Sequence, residues 1–222
     1  MFMAYYSIKD IFVVTTRKNM SFKKLHPYLQ EVLEQLSIDQ TTSFQKKSIP
    51  IIKSGANVFC VASKDSGKTT TLILTTLQKL KCEAEGDAPR AVIIVENKSK
   101  ALELYDAFLT YTKYSSIRVY ASYEALHIDV QKSEIYMGID ILITTPKTIR
   151  KLFLNNGVSI SQLKILSIED ADFLIQKSEY TDLLTATEGI KKCQYVIYSE
   201  KLNPKLKRLE DYFMEHARIV RA

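Results

Sequence analysis

Hydrophobic residues fall along this chain in two rhythms. Leu25, Tyr28, Leu29, Val32, Leu33 and Leu36 recur every three or four positions, the spacing that lines one face of a helix. Ser21 precedes them and is placed to cap that helix, because a serine hydroxyl can accept from an open N–H of the first turn. A second short helix is expected from Ser43, carrying Phe44, Gln45, Ser48 and Ile49 before Gly55. Pro50 within it predicts a kink or an early stop, since proline has no N–H to donate and its ring crowds the preceding turn.

Beyond Gly55 the rhythm changes. Short β-branched runs occur at Asn57–Val61, Ala91–Val95, Ile117–Tyr120, Ile139–Thr144, Leu163–Ile168, Gln194–Tyr198 and Ala217–Val220. Helical stretches lie between them at Lys68–Leu80, Ser99–Tyr111, Pro146–Leu154 and Pro204–Phe213. The runs are apolar nearly throughout, as strands covered on both faces should be. Strand and helix in repeated alternation predict an α/β fold, a mostly parallel, doubly wound sheet of about seven strands with helices on both faces. No repeat or flexible linker divides the chain, so 21–222 reads as one domain and 1–20 as an N-terminal extension.

Composition leaves this picture intact. Hydrophobic residues make up 46% and charged residues 25%, enough apolar material for one large core. The net charge of +6 favours polyanionic partners through long-range attraction. Cys60, Cys82 and Cys193 are widely spaced and odd in number, which suggests neither a disulfide framework nor a zinc site. A reducing, cytoplasmic setting follows as the expectation. No run approaches the ~20 apolar residues of a membrane span, and the first residues lack the charged start of a signal peptide.

The first strand of the alternating region runs into Ala62-Ser63-Lys64-Asp65-Ser66-Gly67-Lys68-Thr69 and then a helix. Strand, loop and helix in this order are the context of a phosphate-binding loop. Unpaired N–H groups and a partial positive charge at a helix start can hold phosphate. Gly67 lets the backbone wrap closely, Lys68 would neutralise phosphate oxygens, and Thr69 can ligate Mg²⁺. Ser66 and Thr70 flank these positions. Asp65 has to take a left-handed conformation, at some cost, where a glycine would be easier. A carboxylate from a neighbouring strand is needed to complete such a site, and Leu163–Ile168 ends in Glu169-Asp170-Ala171-Asp172.

From about Phe22 onward, the order and spacing of these segments resemble the amino-terminal RecA-like lobe of DEAD-box RNA helicases. Ile38 through Gln45 resembles the family's adenine-reading motif, with Phe22 as its upstream aromatic. The resemblance implies ATP and Mg²⁺ as cofactors. It puts Lys68 on the phosphates, Thr69 and Glu169 on Mg²⁺, Asp170 on the attacking water and Gln45 on adenine, with Ser66, Gly67, Thr70 and Phe22 around the nucleotide. Glu96-Asn97-Lys98-Ser99 and Thr145-Pro146-Lys147-Thr148 stand where the family holds the RNA backbone, implying RNA as partner and Lys98, Thr145, Pro146 and Lys147 as contacts. Tyr198-Ser199-Glu200-Lys201 stands at the element that couples ATP state to RNA grip, implicating Ser199 and Asp172.

Several positions depart from the family pattern. Glu169-Asp170 exchanges the lengths of the two leading carboxylates, so Asp170 is one methylene short of the water-activating glutamate. The proline and arginine of the first RNA motif are absent, although Lys98 keeps a positive charge. The coupling element lacks its threonine. A divergent, weak ATPase is the expectation. The residues after Ser199 are too few for a second RecA-like lobe, so duplex unwinding would need such a lobe or another protein partner in trans. The other reading is a non-catalytic nucleotide-, RNA- or protein-binding module. A metabolite kinase would need an arginine-rich lid segment, and none is evident.

Overall fold

The computed structural model describes residues 22–190 and 192–222. The expected extension at 1–20 and the expected cap at Ser21 lie outside the described residues. The first helix, α1, spans Pro27–Gln35 with Pro27 in its first turn. A proline suits that position, because its fixed φ is already helical and the missing N–H would have had no partner. Leu29, Val32 and Leu33 turn inward as their spacing requires, while Leu25 is buried in the turn before the helix.

Helix α2 spans Ser43–Lys53 and continues past Pro50, so the early stop does not occur. Pro50 sits on the exposed side, and Phe44, Ser48, Ile49 and Ile52 pin the opposite side. One lost hydrogen bond does not undo that packing.

The seven expected strands are all present: β1 (Val58–Val61), β2 (Ala91–Ile94), β3 (Val119–Ser122), β4 (Ile141–Thr144), β5 (Ile165–Ile168), β6 (Gln194–Ser199) and β7 (Arg218–Arg221). They form one sheet in the order β3-β4-β2-β5-β6-β1-β7, with every neighbouring pair parallel. The α/β, doubly wound architecture is therefore as the hydrophobic pattern predicts. β3 begins two residues later than expected, because Ile117 and Arg118 precede the ladder and the Arg118 carbonyl accepts from Asp140 and Ile141.

The connecting helices are α3 (Lys68–Lys79), α4 (Lys98–Thr112), α5 (Ile128–Tyr136), α6 (Pro146–Leu154), α7 (Lys177–Thr187) and α8 (Pro204–Lys207), with 3-10 turns at Ala171–Ile175 and Arg208–Asp211. The stretch Pro204–Phe213 is not one helix. It splits into α8 and the second 3-10 turn, with Leu206 and Leu209 seated in the core. The pattern did not predict α5, which buries only Gln131 and Ile135 and so leaves little periodic signal.

Two cores flank the sheet. Leu29, Phe44, Leu72, Leu77, Leu104 and Phe108 from α1 to α4 cover one face. Ile135, Ile149, Leu152, Leu183 and Leu206 from α5 to α8 cover the other. At the amino ends of β2, β3 and β4 lies a buried ionic knot. Asp140 is fully buried and accepts from Arg90 Nη2 at 2.6 Å, Arg118 Nε at 2.9 Å and the Glu85 N–H at 3.1 Å. The functional candidates lie at the other, carboxyl end of the sheet.

Candidate nucleotide and nucleic-acid site

β1 delivers the chain to Ala62, and α3 opens at Gly67, whose φ of +91° is left-handed. A Cβ on Gly67 would stand 2.7 Å from Gln45 Nε2, an amide that can shift aside, so it is the left-handed backbone that favours glycine there. Asp65 adopts the expected left-handed backbone, with φ +60°. Lys68, directly after these bends, is buried, its Nζ donating to the carbonyls of Ala62 at 2.9 Å and Ser63 at 3.2 Å and lying 3.5 Å from Asp170. The loop is thus wrapped round an ammonium group.

Parallel pairing along the sheet brings the acidic segment to this loop. Glu169 follows β5, and its Oε1 accepts from the Thr69 hydroxyl at 2.8 Å. Burial raises the Glu169 pKa. The Thr69 hydrogen bond opposes that shift and the Asp170 charge adds to it. Asp170 is itself left-handed at φ +42°. Asp172 Oδ2 accepts the Glu200 N–H at 2.8 Å, and the Ser199 carbonyl accepts from Ala62. Asp172, Ser199 and the phosphate-loop strand are therefore joined through the backbone.

Gln45 is buried beside the loop, its Oε1 accepting the Thr42 N–H at 3.0 Å and its Nε2 reaching the Gly67 carbonyl at 3.5 Å. Thr42 completes a capping box on α2 and donates its hydroxyl to the Ser66 carbonyl at 2.7 Å. Phe22 is packed in the core under α1. Thr70 is half-buried in the first turn of α3. The structure therefore brings Gln45, Gly67, Lys68, Thr69, Glu169 and Asp170 together.

Lys98 and Thr145-Pro146-Lys147 stand side by side, because β2 and β4 pair with Ile94 opposite Thr144. Lys147 is exposed, and Lys98 Nζ sits 5.2 Å above the Tyr123 ring. Thr145 is buried. Its hydroxyl caps α6 by accepting from the Thr148 N–H and is 2.5 Å from Glu124 Oε1.

Three contributors were not singled out from the sequence. Thr42 was detectable, since Thr-x-x-Gln before a helix is a capping-box pattern. Glu124 lies in a segment with no periodic signal. Lys100, in the first turn of α4, feels Glu169 and Asp170; its hydrogen bond to Glu103, aided by those carboxylates and opposed by partial burial, raises its pKa.

The donor set fits a phosphate chain and a hard cation. Ser66 Oγ is buried without a partner inside the loop, and the Thr69 hydroxyl and Glu169 carboxylate supply the oxygen ligands that Mg²⁺ prefers. Among the described residues no cluster of three or more His, Cys, Asp or Glu side chains could hold a metal, and no helix is long and apolar enough to cross a membrane.

The chain is similar in sequence and in fold to known proteins. A family model described as DEAD/DEAH box helicase matches residues 42–203. The chain is 24% identical over 203 residues to the ATP-dependent RNA helicase DeaD of Buchnera aphidicola, covering 90% of this chain and 33% of that protein. It is 24% identical over 209 residues to the ATP-dependent RNA helicase RhlB of Hamiltonella defensa, covering 90% of this chain and 50% of that one. The crystal structure of the yeast DEAD-box splicing factor Prp28 superposes with a TM-score of 0.80 at 19% identity, over 92% of this chain and 51% of that one. This chain spans between about a third and a half of the length of these relatives.

Proposed function

This chain belongs to the DEAD/DEAH box helicase family as an amino-terminal RecA-like lobe, and we propose that it binds ATP with Mg²⁺ and RNA as one half of an ATP-driven RNA-remodelling machine. The observation that carries this reading is the meeting of Thr69 and Glu169 at 2.8 Å beside the buried ammonium of Lys68. The N–H groups at the start of α3 and Lys68 hold the phosphates, and Lys68 exchanges its bonds to Ala62 and Ser63 for phosphate oxygens. Thr69 and Glu169 present their oxygens to Mg²⁺, which when bound neutralises charge on the phosphates. Asp170 orients the attacking water, with a shorter reach than a glutamate would have. The Gln45 amide, which can both donate and accept, turns from its internal bonds toward the adenine edge.

RNA is held by charge and backbone contact at Lys98 and Lys147, with Thr145 and Pro146 fixing the start of α6 between them. Unwinding needs a second RecA-like lobe, in the same protein or in trans. Calorimetric titration with a non-hydrolysable ATP analogue and Mg²⁺ tests the site, and Lys68→Ala should abolish the heat. Retention of full affinity by that variant would refute the nucleotide reading.

A second reading is a lobe that binds nucleotide without turning it over. It is favoured by Asp170, which is short, left-handed and already paired with Lys68. Single-turnover hydrolysis in the presence of RNA and a partner lobe separates the two. Tight binding with no release of phosphate selects the second.

A further inference from the structure

A helix start is a seat for phosphate, and at the start of α6 this chain already places an anion. Thr145 is buried, and its hydroxyl accepts from the Thr148 N–H at 3.2 Å. Two acceptors lie within reach of its proton, Glu124 Oε1 at 2.5 Å and Thr148 Oγ1 at 3.0 Å. The nearer, charged one takes it, since ionised acceptors form the shorter and stronger bonds. A hydroxyl has a single proton to give. Thr145 can therefore bond Glu124 or a phosphate oxygen, and not both. Glu124 is exposed and forms no salt bridge among the described residues, so no ion pair cancels its charge beside the helix start.

The turn that carries this carboxylate is tied down from within. Between β3 and α5 the Leu126 N–H donates to the Tyr123 carbonyl at 3.1 Å. Gln131 of α5 is buried and reaches back into the same turn. Its Nε2 donates to the carbonyls of Leu126 at 2.7 Å and Tyr123 at 3.3 Å, and its Oε1 accepts from the buried Ser122 hydroxyl. A buried amide satisfied entirely by one short loop fixes the backbone of that loop. The residue before Glu124 is engaged as well, because Lys98 Nζ lies 5.2 Å above the Tyr123 ring. Two consecutive residues of one fixed turn thus occupy Lys98 and Thr145.

We propose that Glu124 stands in for an RNA phosphate at the start of α6 and sets how weakly this lobe grips RNA. The proposal rests on the reading of Lys98, Thr145 and Lys147 as the RNA face. Tethered beside Thr145, the carboxylate competes at a fixed and high local concentration. RNA gains the Thr145 hydroxyl only after the Glu124 side chain rotates out, which its exposure allows. The contact is therefore a brake on RNA affinity rather than a barrier, and it is separate from the nucleotide loop and from Glu169–Asp172.

Two-dimensional NMR of the full chain, titrated with a uridine oligonucleotide, tests the proposal. The parent should show saturable shifts at Lys98, Thr145 and Lys147. Glu124→Gln keeps an acceptor for Thr145 but drops the charge, and should tighten binding about threefold, as one exposed charge allows. Glu124→Ala removes the acceptor too and should tighten it about tenfold, given the strength of hydrogen bonds to charged groups. Neither variant should move the denaturation midpoint, because Thr145 keeps its cap on α6. Glu215→Gln changes the net charge equally at the amino end of β1, where the Glu215 carbonyl accepts from Asn57, and should leave affinity within about twofold. Shifts at Lys98, Thr145 and Lys147 with equal or lower affinity in the Glu124 variants would overturn the proposal and leave the RNA reading standing. A gain from Glu215→Gln as large as that from Glu124→Gln would also overturn it, by reducing the effect to net charge. No shifts there in any of these proteins would sink the RNA reading and the proposal together.

Discussion

The hydroxyl of Thr69 and the carboxylate of Glu169, one hundred positions apart in sequence, meet at 2.8 Å. The bond joins the start of α3 to the end of β5 across the intervening strand β6. Because Glu169 is buried, its folded pKa is raised. The stability linked to this group is thus full below the unfolded value of about 4.3 and is lost as pH rises through the folded value. Glu169→Gln can still accept from Thr69 but carries no charge. It should be more stable than the parent at pH 7.5 by about 1 kcal/mol, with the difference closing near pH 4. Thermal melts at the two pH values check this, and ATP turnover by the same variant should be lost.

Gly67 and Gln45 are in contact, the Gln45 amide reaching the Gly67 carbonyl. Gly67→Ala would drive a Cβ to 2.7 Å from Gln45 Nε2 while imposing a left-handed alanine. ATP-analogue binding should disappear. Adding Gln45→Ala removes the collision but leaves a backbone cost of about 1–2 kcal/mol, so calorimetry should show partial recovery. Full recovery would mean that the left-handed backbone is unimportant. Gln45→Ala alone should cost about 1 kcal/mol of stability through its capping box and erase the preference for ATP over GTP.

Asp65 occupies a left-handed position in the loop with φ +60°. Asp65→Gly removes both the backbone cost and a negative charge close to the expected phosphates. The dissociation constant for an ATP analogue should fall about threefold to tenfold, equivalent to roughly 0.7–1.4 kcal/mol. An unchanged constant in calorimetry would show that the carboxylate points away from the nucleotide.

The ionic knot at the far end of the sheet should dominate acid sensitivity. Burial pushes the Asp140 pKa up, but hydrogen bonds from Arg118 and Arg90 outweigh it, and the net shift is downward. Its contribution is present above the unfolded value of about 3.9 and is lost as pH falls through the folded value. Asp140→Asn leaves the buried Arg90 with only the exposed Glu85 carboxylate as its counter-charge and should cost about 3 kcal/mol at pH 7. Urea titration should show that deficit shrinking toward pH 3.

The fold was legible because fully covered strands are continuous apolar runs, and runs such as Ala91–Val95 and Gln194–Tyr198 admit little else. The tight turn around Lys68 was legible because it is local, with Gly67, Lys68 and Thr69 adjacent in sequence. Helix α5 was not, since only two of its residues are buried and no periodicity results. The internal engagement of Thr145 was hidden for a different reason. Its partner Glu124 lies in another loop, and such a pairing has no signature along the chain. Lys100 reads as an ordinary exposed helix lysine until β2 and β5 are aligned.

The strand order carries a consequence for synthesis. β1, which leads into the loop Ala62–Thr69, lies between β6 and β7, the last two strands of this sheet in chain order. While the first half of the chain is emerging, β1 has neither neighbour and its edges are unpaired. β2, β3 and β4 can associate earlier, since they pair with one another. Pairings of such long sequence separation form slowly. A nascent chain stalled before Gln194 should therefore leave β1 without a neighbour and accessible to chaperones, and nucleotide affinity should arise only once β6 has paired with it.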